Sequence, residues 1–334
     1  MKFENTQVWG FEHAMRGMRN PKNSWHLGDT KEESYMNAIG GYYFKEEDYN
    51  VCRYQGNDAI HVTIGPNDMK LALTLIKGGP EHRKFLRQIF VSVDITAPLY
   101  WWKEFDTYKV ATVANSTSTM HKIQSLPITR ESFEMDDYEP GLKIPITQKY
   151  ANMPDDMFFE HDDMVDTIIN YMEALRQEYN AIVEQLKNPQ GSPDYVVGLQ
   201  ERANWVWKEL IRWLPEGWLQ TRTVTLNYET IRSMCSAGQR RFHKLNEWSG
   251  KDVSNVPNFI SWARTLPYAK EFIFTDELPQ PEKTPMQKIE EALAAIGVKC
   301  KEKGQYRLLG DVIEDIAEVF EGYVAVMQNN LPED

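Results

Sequence analysis

The residues of this chain best suited to chemistry are a hydroxyl-rich tract, Thr112-Val113-Ala114-Asn115-Ser116-Thr117-Ser118-Thr119, and a histidine, His82, that follows Gly78-Gly79. Serine and threonine supply hydroxyl donors, and a turn supplies closely spaced backbone N–H groups, which together suit an anion. The same tract also reads as a solvated loop or an edge strand. His82 stands among Glu81, Arg83 and Lys84, so it belongs either to a pocket or to a surface charge cluster. Arg240-Arg241 with His243 suits an anion site or a solvated helix face. Trp101-Trp102 reads as a stacking platform or, more ordinarily for aromatics on a helix, as core.

Many chemistries lack their motifs. There is no G-x-G-x-x-G after a strand, no Walker lysine loop, no H-E-x-x-H, no C-x-x-C and no G-x-S-x-G elbow. The seven histidines are dispersed, and the acids of His161-Asp162-Asp163 read better as charges at a helix N-terminus than as metal ligands. No metal site is therefore expected. The cysteines, Cys52, Cys235 and Cys300, are odd in number and widely spaced, which fits a reducing compartment rather than a disulfide framework. Cys235, between Met234 and Ser236 in a helical stretch, reads as a buried thiol and not as a nucleophile.

With 334 residues, 42% of them hydrophobic, the chain can bury a sizeable core. The formal charge of −12 argues against nucleic acid, because a grip on phosphate backbones needs a basic face. No apolar run reaches membrane-spanning length and no signal-peptide pattern opens the chain, so a cytoplasmic protein without a membrane partner is expected.

The elements that must position these residues follow from periodicity. A short helix is expected over Trp9 to Met18, and two strands around the 55–58 turn between Val51 and Ile64. A helix opens at Pro66 and ends at Gly78-Gly79. Phe90 to Thr96 alternates Val91, Val93 and Ile95 with Ser92, Asp94 and Thr96, the pattern of a half-buried strand. A helix from Pro98 to about Lys109 then runs into the hydroxyl tract. Beyond an irregular, proline-bearing excursion at 123–160, helices are expected from His161 to Leu186 and from Pro193 to Trp213. A threonine-rich strand, Trp218 to Leu226, precedes a helix from Tyr228 to Trp248, and amphipathic helices cover Ile289 to Ile296 and Leu308 to Met327. Strands followed by long helices without regular alternation argue for α+β, an antiparallel or mixed sheet packed with long helices. The expected division is an N-terminal extension (1–50), an α+β domain (51–270) with an insertion at 123–160, and a helical C-terminal extension (271–334).

Two stretches resemble the flavin-dependent thymidylate synthases. In that family a G-H-x-S-x-x-E-H segment leads through a strand and a helix to the signature R-H-R-x-x-S-x-x-x-x-S-x-R-Y. Here Gly78-Gly79-Pro80-Glu81-His82 precedes the Phe90 strand, and Val113 to His121 stands in the signature's place. R-H-R falls on Tyr108-Lys109-Val110, and the final arginine-tyrosine pair on Met120-His121. The second stretch is Leu214-Pro215, a strand bearing Thr221, Thr223 and Thr225, then Asn227, Arg240, Arg241, His243, Glu247 and Trp248, in the family's order. The chain also looks like long members of this type from bacteriophages, for which the compartment would be the host cytoplasm.

The resemblance implies FAD as cofactor, faced by His82, Asn227 and His243. It implies a pyrimidine nucleotide such as dUMP beside Ser116 and Ser118, with charge from Lys109, Arg212, Arg222, Arg240 or Arg241. Ser118 and Lys109 take the catalytic positions. A homotetramer is implied, and reduced folate and NADPH enter only if the chain is catalytically active. A lysine cannot copy an arginine's bidentate fork, so three readings stand. They are dUMP methylation or a related C5 modification, a catalytically inactive nucleotide-binding or host-interaction module, and a structural assembly protein.

Overall fold

A computed structural model describes residues 1–36, 51–55, 58–145, 158–250 and 256–278. The chain divides into two units, Met1–Glu277 and Leu278–Asp334, and every element below belongs to the first. The helices expected after residue 284 lie outside the described residues.

Strand β1 (Lys2–Trp9) and helix α1 (Phe11–Met18) open the chain. Strands β2 (Lys31–Met36), β3 (Val51–Gln55) and β4 (Asp58–Thr63) form a small antiparallel sheet ordered β2-β4-β3, followed by α2 (Pro66–Lys77). Then come β5 (Phe90–Pro98), α3 (Leu99–Phe105), β6 (Val113–Ser116) and one turn of helix, α4 (Thr119–Lys122). The antiparallel pair β7 (Lys143–Pro145) and β8 (Phe158–Glu160) leads to the long helices α5 (His161–Lys187) and α6 (Pro193–Arg212). Strand β9 (Leu219–Asn227) is followed by short helices α7 (Tyr228–Met234), α8 (Ala237–Phe242), α9 (Asn246–Ser249), α10 (Phe259–Arg264) and α11 (Ala269–Phe272).

The main sheet has the order β1-β5-β9-β6 and is antiparallel throughout. The fold is α+β, as the sequence pattern implies. β5 shows why: Val91, Val93, Ile95 and Ala97 are buried on one face, while Ser92, Asp94 and Thr96 pair with Thr225, Thr223 and Thr221 on the other. That polar face is laced across the strands. Thr223 donates to Asp94 at 2.5 Å, and the Thr96 and Thr221 hydroxyls lie 2.7 Å apart. Such cross-strand pairs stabilise a sheet.

Three expectations change in detail. The expected helix at Trp9 begins only at Phe11, because β1 extends through Trp9. Gly10 makes the corner at φ 95°, and a Cβ there would meet the Gln88 carbonyl at 2.3 Å, so only glycine fits. The helix expected to reach Lys109 ends at Phe105. The long helix expected from Tyr228 to Trp248 is three short ones. Ser236 caps a new start by accepting the Gln239 N–H, which breaks the run after Met234.

Two apolar clusters hold these elements. One packs Trp101, Trp102, Phe105, Trp248 and Phe259 with the buried face of β5 and β9. In the other, Ile169, Met172, Leu175 and Ile182 of α5 meet Ala203, Val206 and Leu210 of α6, together with Ile123, Ile128 and Phe133. Trp101 and Trp102 are thus core residues, both fully buried.

Candidate functional site

The sheet register gathers a row of polar residues. Lys2 pairs with Thr96, Thr96 with Thr221, and the Thr117 N–H donates to the Thr221 carbonyl at 2.9 Å. Gln220 fixes the start of the hydroxyl segment by donating to the Thr117 carbonyl at 3.0 Å and to the Thr119 hydroxyl at 3.3 Å. Thr117, Ser118 and Thr119 thereby line a cavity of about 930 Å³, together with Lys2 and Thr96.

The opposite wall is residues 123–138, and α5 holds it in place. Glu173 accepts the Ile128 N–H at 2.8 Å and both Arg176 donors at 2.6 and 2.7 Å. Arg176 and Asn180 donate to the Gln124 carbonyl at 3.1 and 2.9 Å. The Arg176 guanidinium, opposed by burial and aided by the Ile128 N–H, pulls the Glu173 carboxyl down to about 2. Deeper in, Phe133 meets Trp218 edge to face at 5.5 Å, and the Glu134 N–H donates to the Gly217 carbonyl at 2.8 Å.

The charges on this cavity are mixed. Glu131, Glu134 and Asp136 line it with Lys2 and Arg130. Arg130 is engaged elsewhere, with Asp166 at 2.7 Å and Asp162 at 3.0 Å. Asp162 also accepts from Tyr138 and the Gly141 N–H, so this acid at the start of α5 organises the wall. The Met1 amine lies against Glu134 and Asp136. Burial raises the Glu134 carboxyl above its usual range.

At the far end of β9 the side chains are closed on themselves. Asn227, 1% exposed, caps α7 by accepting the Thr230 N–H at 2.9 Å, and Thr230 in turn donates to the Val110 carbonyl. His243 is buried, stacked 4.5 Å from Trp248, with Nε2 3.0 Å from the Met234 carbonyl and Nδ1 3.4 Å from Glu104. His82 is exposed, just past the turn at Gly79, where φ is 98°. Of the three residues expected to face a flavin, two are therefore engaged in internal contacts.

The expected cations are dispersed. Arg222 stacks over Trp102 at 4.2 Å and donates to Asp106 at 2.8 Å and to Gln220 at 2.9 Å. Arg212 is bound to Glu209, its neighbour on α6. Lys109 is exposed and outside the cavity lining. The side chains of Arg240 and Arg241 lie outside the described residues. Ser116, on the edge strand, is paired with Arg222 in register and is likewise not part of the lining. From Arg222 to Asn227 is five strand residues, about 17 Å at the usual rise, so the two groups of expected residues occupy opposite ends of β9. Cys235 is fully buried, which removes it as an accessible nucleophile.

Sequence reasoning missed Lys2, Thr96, Glu131 and Glu134. Thr96 carries the outward parity of the Phe90 strand, which was a usable signal. The others come from segments without clear periodicity.

No protein-family model matches the chain, and no curated protein matches it. Among solved structures it is similar to the flavin-dependent thymidylate synthase ThyX of Helicobacter pylori complexed with FAD and dUMP. The TM-score is 0.44 and the identity 12%, over 84% of this chain and 100% of that one. A second structure of that enzyme with FAD and dUMP gives 0.41 and 11% over the same shares. A UMP/dUMP methylase, PolB from Streptomyces cacaoi bound with 5-Br UMP, gives 0.31 and 14%, over 64% of this chain and 84% of that one. Likenesses of this size do not establish family membership.

Proposed function

We propose that this chain binds a pyrimidine nucleotide in the cavity beside Thr117-Ser118-Thr119, on an arrangement of the flavin-dependent thymidylate synthase type, and does so without that type's flavin chemistry. One observation carries the reading. The 117–119 end of the hydroxyl tract lines a cavity of about 930 Å³ that also holds a lysine and three aromatic residues, Phe133, Tyr138 and Trp218. Pockets of this size suit small organic ligands, with a few polar groups fixing orientation. Hydroxyls and Lys2 offer donors to a phosphate, while the aromatic side offers a surface for a base.

The flavin-free part rests on the engagement of Asn227 and His243. Purified protein should lack the visible absorbance of bound flavin, and a pyrimidine nucleotide should raise its melting temperature. Ligand at a hundredfold excess over Kd stabilises the native state by about 2.7 kcal/mol. A melting temperature unmoved by any pyrimidine nucleotide would refute the proposal.

A second reading, methylation of dUMP with FAD, reduced folate and NADPH, is favoured by the exposure of His82 beside Gly79. In such a protein the cofactors carry the chemistry and the chain supplies orientation and charge. It calls for a yellow protein and for dUMP-dependent oxidation of reduced flavin.

A further inference from the structure

Neither Gln220 nor Arg222 lines the cavity, but together they join its hydroxyl segment to the protein surface. Asp106, half exposed, accepts from Arg222 Nη1 at 2.8 Å. Arg222 Nε donates to Gln220 Oε1 at 2.9 Å. Gln220 Nε2 donates in turn to the Thr117 carbonyl at 3.0 Å and to the Thr119 hydroxyl at 3.3 Å. Chemistry fixes the direction of this chain. A guanidinium only donates and a carbonyl only accepts, so one orientation of the Gln220 amide satisfies both.

Trp102 serves both strand residues. Its ring lies 4.2 Å from the Arg222 guanidinium, and its Nε1 donates to the Gln220 carbonyl at 3.0 Å. The indole is fully buried, so the pair rests on the core. The segment they reach is a short link that leaves β6 at Ser116 and enters α4 at Thr119. Both main-chain groups of Thr117 are held from β9: the N–H by the Thr221 carbonyl at 2.9 Å, the carbonyl by the Gln220 side chain.

We propose that Asp106, Arg222 and Gln220 form a positioning relay, in which Gln220 sets the 117–119 hydroxyls for the ligand and Arg222 acts on affinity only through Gln220. The proposal takes its ligand from the nucleotide reading above and gives Arg222 a role at one remove from it. Groups carried on strands are held more precisely than groups on loops, so a binding loop gains precision from a rigid neighbour. The charge-assisted bond from Arg222 is stronger than a neutral one and removes the amide's freedom to turn.

Calorimetric titration of the full chain with dUMP, or with dCMP where it binds more tightly, reads the relay as a double-mutant cycle. Gln220→Leu is expected to weaken the nucleotide about fivefold to tenfold. Arg222→Met should weaken it severalfold in the otherwise unaltered chain and no further once Gln220→Leu is present. Arg222→Lys keeps the charge but not the fork, and should bind as weakly as Arg222→Met. Additive losses, full affinity in Arg222→Lys, or full affinity in Gln220→Leu would each overturn the proposal. Amide hydrogen exchange reads the relay without ligand. Gln220→Leu and Arg222→Met should each speed exchange at the Thr117 N–H and leave Val224, in the middle of β9, unchanged, which also shows that the variants are folded. Thr117 exchange as slow as in the unaltered chain would overturn the relay. Binding of neither nucleotide removes the nucleotide reading alone, and exchange then decides the relay.

Discussion

Strand β9 joins two regions built differently. Around Asn227 the side chains close on one another: the asparagine caps α7, Thr230 ties that helix to the Val110 carbonyl, and His243 is stacked on Trp248 within the aromatic core. Around Thr221 the hydroxyls bond to their neighbours and still border a cavity. Both ends are rich in residue types that do chemistry elsewhere. What separates them is whether the polar groups are already matched. A buried polar group needs a partner, and at the Asn227 end Asn227, Thr230 and His243 each find one within the chain.

Substitutions should separate the two ends by stability and by binding. The largest effect is expected from Trp248→Ala, which removes a fully buried ring packed on Trp101, Phe105, Phe259 and His243. A loss of about 3–5 kcal/mol in denaturant unfolding is expected. Trp248→Phe should cost less, since the indole N–H has no hydrogen-bond partner among the described residues. A loss under about 1 kcal/mol for the alanine variant would contradict the packing described.

Next in size is Glu173→Gln, which loosens the cavity wall by weakening bonds to the Ile128 N–H and Arg176. The expected cost is about 1–3 kcal/mol, with weaker nucleotide binding as the wall relaxes. The same carboxylate sets a pH dependence. Its folded-state pKa of about 2 lies below the ordinary value of 4.5, so its contribution is complete above that ordinary value and is lost as pH falls toward 2. Acid unfolding curves of the unaltered chain and the glutamine variant should therefore converge at low pH. Parallel curves throughout would remove Glu173 from this role.

Smaller still is Asn227→Ala, a lost helix cap expected to cost about 0.5–2 kcal/mol and to leave nucleotide affinity unchanged. If affinity falls with it, the two ends of β9 are coupled in a way the single chain does not show. The smallest stability effect belongs to Ser118→Ala, exposed at the cavity and expected within about 0.5 kcal/mol of the unaltered protein. Its nucleotide affinity should nevertheless drop measurably in titration. Unchanged affinity would move the site away from this loop.

Much of the fold was legible in the chain. The alternation from Val91 to Ile95 specified a half-buried strand, and Pro66 with Gly78-Gly79 bracketed α2 closely. The apolar spacing of Ile169, Met172, Leu175 and Ile182 specified α5. These signals are local: strand and helix periods are properties of successive residues. The break in the Tyr228–Trp248 run was less visible, because Ser236 acts as a cap only once a turn exposes the Gln239 N–H to it.

The candidate site was legible only in part. The hydroxyl tract could be recognised as a potential ligand segment from composition alone, and its last three residues, Thr117 to Thr119, line a cavity. Whether Asn227, His243, Arg212 and Arg222 were available to a ligand was not in the local pattern. Their partners, Thr230, Glu104, Glu209 and Asp106, were all in the sequence, but nothing there says which charges and donors will meet. Sequence by itself determined the α+β class, the strand and helix periods and the candidate hydroxyl segment. Tertiary structure alone decided which polar groups are closed on one another and which face open space, because hydrogen bonds and ion pairs are set by distances that only the packed chain creates.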